Sequence, residues 1–189
     1  VLPRAASTLH ASASSSSAAA LLFETMLVRH GVMLVGPTLT GKTSSSATLA
    51  AALTQLKRDG EESPEYEVVK RHTLNPKSVL MGELYGEVNP MTQEWTDGIA
   101  STMIRTAVGL TTQNDDYQWV VFDGPVDAMW IESMNSVMDD NKILTLANND
   151  RIPMLRPNVT LHFEVEDLRN ASPATVSRAG IIYVSLQDL

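Results

Sequence analysis

The chain has 189 residues, 43% of them hydrophobic and 19% charged, which suits one domain with a sizeable core. A formal net charge of −8 excludes a general nucleic-acid binder, because neutralising a phosphate backbone needs clustered Lys and Arg. No apolar run of about 18 residues appears, so no membrane span is predicted; cysteine is absent, which excludes disulfides and thiolate metal sites.

Val1 stands where an initiator Met would, so a piece of a longer polypeptide is expected. Residues 1–21 read as a low-complexity Ser/Ala lead-in that specifies little structure, loose or helical. The lead-in up to Phe23 has one Arg and no acid, a composition shared with transit peptides. From residue 22 to 189 the chain reads as one folded unit. "GVMLVG" (31–36) is an apolar run between glycines, as in a buried parallel strand. Residues 41–58 follow with Leu49, Ala52, Leu53 and Leu56 at helical spacing. "YEVVKRHT" (66–73) predicts a second strand. Residues 78–86 and 94–110 predict helix, broken around Asn89 and Pro90. "YQWVVFD" (117–123) predicts a third strand, and residues 127–140 a helix. Residues 142–155 predict a hairpin around "NND", and "NVTLHFEV" (158–165) a fourth strand. "PATVSR" (173–178) predicts a short helix before a fifth strand, "GIIYVSL" (180–186). Strands alternating with helices imply an α/β fold with a mostly parallel sheet covered on both faces, a three-layer arrangement. Ligands of such sheets bind beyond the carboxyl ends of the strands.

The chemistry falls at those ends. "GPTLTGKT" (36–43) matches G-x-x-x-x-G-K-[ST] between a strand and a helix, the setting a phosphate-binding P-loop requires. Gly36, Pro37, Thr38, Leu39, Thr40 and Gly41 would wrap phosphate with backbone N–H groups, at the positive end of the following helix. Lys42 would reach the β- and γ-phosphates of ATP or ADP, and Thr43 would ligate Mg²⁺. Asp123, ending an apolar strand, would share the Mg²⁺ shell with Thr43. The next place holds Gly124, where nucleotide hydrolases carry a second acid to activate water. Asp127 is more simply a helix N-cap than a substitute base. Arg178 ends a short helix; its spacing fits either an arginine finger reaching a neighbour's γ-phosphate or a charge opposite the helix C-terminus.

Residues 75–99, 119–152 and 163–180 together resemble dynein heavy chains, and among them the second AAA+ module of the axonemal motor ring. The resemblance runs from about residue 22 to the end and includes long strings such as "GELYGEVNP" and "DGPVDA". Ala179 and Ser44 to Ser46 depart from it. It implies an AAA+ P-loop NTPase fold with a β-hairpin insert around Asn148 to Arg151, followed by a small helical lid that the 189 residues do not contain. It implies an ATP-binding module with little or no hydrolysis of its own, as Gly124 also suggests. Arg178 would act in trans on the preceding module, and Glu166, one of three acids after the fourth strand with Glu164 and Asp167, would sense the γ-phosphate. The implied partners are neighbouring modules of the same heavy chain, microtubules through the whole motor, and dynein intermediate or light chains. The implied place is the cytoskeleton of the cytoplasm and the ciliary or flagellar axoneme. Two other readings are an active P-loop phosphotransferase, which the lack of an arginine-rich lid disfavours, and a structural ring segment with a vestigial site, which the intact Lys42, Thr43 and Asp123 disfavour.

Overall fold

A computed structural model describes residues 15–154 and 157–185. Residues 1–14 of the expected lead-in and the end of the expected fifth strand lie outside the described residues. The elements in chain order are α1 (Ser15–Met26), β1 (Gly31–Val35), α2 (Lys42–Arg58), β2 (Val69–Leu74), α3 (Met81–Tyr85), β3 (Gly86–Val88), β4 (Trp95–Asp97) and α4 (Ile99–Leu110). They continue with β5 (Tyr117–Asp123), α5 (Ala128–Ile131), α6 (Asn135–Met138), β6 (Ile143–Thr145), β7 (Arg151–Pro153), β8 (Val159–Val165), α7 (Pro173–Arg178) and β9 (Gly180–Tyr183). The boundary expected between residues 21 and 22 falls inside α1, whose Ala18 and Leu22 are fully buried against the sheet.

Five strands form one parallel sheet in the order β2-β5-β8-β1-β9. Consecutive strands are not always neighbours, so β1 lies between β8 and β9. That order brings the ends of β1, β5 and β8 side by side. The three central strands are buried on both faces, which explains their near-continuous apolar runs. One face packs Val32, Leu34, Trp119, Val121 and Ile182 against α1 and α2. The other packs Met33, Val120, Phe122 and Phe163 against α3, α4, α5 and α6. There Phe122, Trp130 and Phe163 stack with centroids 5.4 to 6.0 Å apart. The stack lies immediately behind Asp123 and holds the end of β5 rigid.

Three expectations change. The second strand starts at Val69 rather than Tyr66. The helix expected over 94–110 begins only at Ile99, because β3 and β4 pair as an antiparallel hairpin before it. Gly86 has φ 125°, outside any helix, and the Asn89 side chain accepts from the backbone of Met91 and Thr92, closing the turn locally. The helix expected over 127–140 is divided into α5, a 3₁₀ turn at Glu132–Met134 and α6. The second hairpin, β6 with β7, lies where it was expected. Arg105 of α4 ties the two hairpins together by pairing with Asp97 at 2.6 Å and also with Asp150.

Candidate nucleotide site

The loop after β1 requires glycine at its start. A Cβ at Gly36 would come within 2.1 Å of the Val184 carbonyl oxygen, so the loop's close approach to the chain after β9 demands glycine. Leu39 and Gly41 have φ of 70° and 84°, in the left-handed region, and they turn the chain into α2. Thr40, buried, donates its hydroxyl to the Pro37 oxygen at 2.8 Å and braces the loop from inside. Pro37, Thr38 and Leu39 are left exposed on the outside. The first turn of α2 carries no acid, so the positive end of its dipole is not offset there. Lys42 folds back over the loop and donates to the Gly36 and Pro37 oxygens at 2.6 and 2.8 Å.

Three carboxylates face this lysine. Burial lowers the Lys42 pKa, and Glu164, Asp123 and Glu166, in that order, pull it back up. Asp123 ends β5, exposed, beside Glu164 in the register of β5 and β8. The Gly124 N–H donates to the Glu164 carbonyl oxygen at 3.1 Å, which locks the two strand ends together. Glu166 lies just past β8, exposed. Thr43 donates its hydroxyl to the Glu164 carboxylate. Lys42, Thr43, Asp123 and Glu166 lie together at this end of the sheet, whereas Arg178 lies apart on α7. Arg178 pairs with Asp139 at 2.5 Å and donates to the Ala174 oxygen at 2.7 Å. An ammonium, a hydroxyl and carboxylates around a glycine-built loop fit a nucleoside polyphosphate with a hard, oxygen-liganded cation such as Mg²⁺.

The loop after β5 is of a different kind. A Cβ at Gly124 would meet the Asn75 Oδ1 at 2.8 Å and Pro76 Cδ at 3.2 Å. That Asn75 oxygen is not free to swing away cheaply, because it accepts from the Lys77 backbone N–H at 2.9 Å. Asp127 accepts from the Met129 N–H at 2.9 Å as the N-cap of α5, and its other oxygen pairs with Lys77. The hydrogen bond from Lys77, then that from Met129, lower its pKa below the usual carboxylate range. A carboxylate so stabilised is a poor proton acceptor. Trp130 donates its indole N–H to the Pro125 oxygen at 3.2 Å, and Tyr85 donates to the Trp130 oxygen at 2.6 Å, so the loop is held from behind.

Sequence reasoning preferred Glu166 to Glu164 and passed over Arg71. Glu164 is almost wholly buried and accepts from Arg71 Nη2 at 3.2 Å. Behind them His162, fully buried, stacks on Trp119 with centroids 4.4 Å apart, and burial drops its pKa to about 3. The signal was present: Thr160, His162 and Glu164 alternate with apolar residues, which puts three polar groups on one face of a buried strand.

Residues 31–179 match the model of the AAA domain (dynein-related subfamily). The chain is 56% identical to human dynein axonemal heavy chain 6 over 167 residues, covering 88% of this chain and 4% of that one. It is 53% identical over 168 residues to human dynein axonemal heavy chain 2, and 51% identical over 168 residues to the flagellar outer-arm dynein gamma chain of Chlamydomonas reinhardtii; each match covers 89% of this chain and 4% of the relative. The chain thus spans about a twenty-fifth of the length of these curated relatives. An AAA domain is a nucleotide-binding P-loop fold, and the five-stranded parallel sheet agrees with it. The chain belongs to the dynein-related subfamily of AAA domains, as a module of the axonemal heavy-chain type, a component of the ciliary or flagellar cytoskeleton.

Proposed function

We propose that this module, the second of a dynein motor ring, binds Mg–ATP with little or no hydrolysis and lends Arg178 to the catalytic site of the preceding module. The carrying observation is the contrast at the sheet edge: Lys42, Thr43 and Asp123 converge, while the place after Asp123 holds a glycine pressed against Asn75. Gly36 to Gly41 would cradle the phosphates. Lys42 would hold the β- and γ-phosphates, Thr43 and Asp123 the Mg²⁺, and Glu166, exposed beside them, would contact the terminal phosphate. The bound Mg²⁺ would neutralise phosphate charge. Asp127, the acid nearest in sequence after Gly124, is not poised to take a proton from water, since it is occupied by Lys77 and by the α5 cap. ATP here is a structural or slowly exchanging ligand that sets the shape of the ring, and hydrolysis next door drives movement along microtubules. The partners are the neighbouring modules of the same heavy chain, with intermediate or light chains in the assembled motor.

Titration of the chain with Mg–ATP tests this reading, with a phosphate-release assay on the same sample. Saturable binding without turnover is expected, and the absence of saturable binding contradicts it.

A further inference from the structure

Glu164 carries a buried charge in a position that invites a role. A carboxylate taken out of water is strongly disfavoured unless it is paired. Its side chain is 1% exposed and has two partners, Arg71 from the edge strand β2 and the Thr43 hydroxyl from α2. The direction of the second bond matters. Thr43 spends its proton on Glu164, so the lone pairs of its oxygen are left for a cation. The register of β5 and β8 also sets Glu164 beside Asp123 on neighbouring strands, roughly 4.8 Å apart at Cα. Around the loop, Asp123, Glu164 and Glu166 outnumber Lys42 and Arg71. A bare polyphosphate meets a site with net negative charge, and a divalent cation reverses that balance.

We propose that Glu164 is a positioning residue that orients Thr43 toward a divalent cation and makes nucleotide binding at this loop depend steeply on that cation. The inference rests on the reading of residues 36–43 as a nucleotide site. It differs from a purely structural role for the Arg71–Glu164 pair in sign. A structural role predicts that losing the carboxylate weakens all nucleotide binding alike. The positioning role predicts weaker binding with Mg²⁺ and equal or stronger binding without it.

The experiment measures the affinity of a fluorescent ATP analogue for the full chain, once in excess Mg²⁺ and once in excess EDTA. In Glu164→Gln the ratio of the two dissociation constants should shrink by about ten- to a hundredfold relative to wild type, as one full charge is removed at close range. The double variant Arg71→Met, Glu164→Gln removes the cation that the single change leaves unpaired, and should show the same shrinkage with a melting temperature nearer wild type. A ratio unchanged in either variant that binds overturns the role of Glu164 and leaves the nucleotide site standing. A wild-type chain that binds the analogue in neither condition overturns both.

Discussion

Two loops at the carboxyl edge of one sheet present different groups. The loop after β1 gathers an ammonium, a hydroxyl and three carboxylates within electrostatic reach of one another. The loop after β5, one strand beyond β8, contains Gly124 against Asn75 and an aspartate committed to a lysine and a helix cap. Both are rigidly held, the first by Thr40 and Lys42, the second by Trp130 and Tyr85. The difference therefore lies in chemistry rather than in order. Binding a phosphate needs fixed donors, which the first loop offers. Activating water needs a basic side chain at one point, and the second loop fills that point with packing.

The largest expected effect lies outside both loops. In the complete heavy chain, Arg178→Ala should lower steady-state ATPase by about 10³-fold or more, the size seen when a trans-acting arginine is removed. Nucleotide occupancy at this module's own loop should stay unchanged. Asp139 now holds the guanidinium at 2.5 Å, so the arginine must leave that partner to reach a neighbour. Normal ATPase with loss of this module's own nucleotide would mean that Arg178 acts in cis. Next in size, Lys42→Ala should weaken ATP binding by about a hundredfold, the scale of a charge-assisted contact to phosphate. Equal affinities by calorimetry would remove the first loop from the comparison.

A third effect concerns the strand that supports the binding loop. His162 has a pKa of about 3 in the folded chain, so it stays neutral where an unfolded histidine would protonate. The folded pKa is depressed, so the unfolded chain binds the proton first. Stability is then full above about pH 6.5 and lost as pH falls toward 3. By pH 5 the loss from His162 alone is about 2 kcal/mol. His30, lowered to about 4 by burial and then by Lys142, adds to it. Urea unfolding of His162→Phe at pH 7.5 and pH 5 should show a smaller pH dependence than wild type, and an equal dependence would contradict the assignment. An effect of similar size sharpens the second loop. Gly124→Glu restores an acid after Asp123 yet should not restore turnover, because its Cβ collides with Asn75. It should instead cost about 1 to 3 kcal/mol of stability, as overpacking does. Rapid phosphate release by this variant in a coupled assay would show that Asn75 yields.

The first loop was legible in the sequence because its motif is contiguous: eight residues, 36–43, lie where a strand gives way to a helix. The strands of the sheet were legible because runs such as 117–123 are apolar throughout. The β3–β4 hairpin was not, since Gly86 and Trp95 to Asp97 read as helix until the Asn89 turn is seen to pair them. The partners of Glu164 were hidden for another reason. Its bond with Thr43 spans 121 residues, and only the strand order places them together. The same holds for Asn75 filling the place of a Gly124 side chain, and for Asp139 holding Arg178. Local periodicity speaks to elements, whereas the chemistry of this site depends on which strands become neighbours.

One measurement bears most directly on binding without hydrolysis. The chain, in excess over ATP labelled at the γ-phosphate and in the presence of Mg²⁺, is quenched with acid over seconds to many minutes, and the label is separated into ATP and phosphate. The account predicts that the label is retained by the protein and recovered as intact ATP, with phosphate appearing no faster than background. Bound label converted to phosphate at about 1 s⁻¹ or faster, the pace of a working enzyme, would contradict it and place a base where the structure shows Gly124 and Asn75.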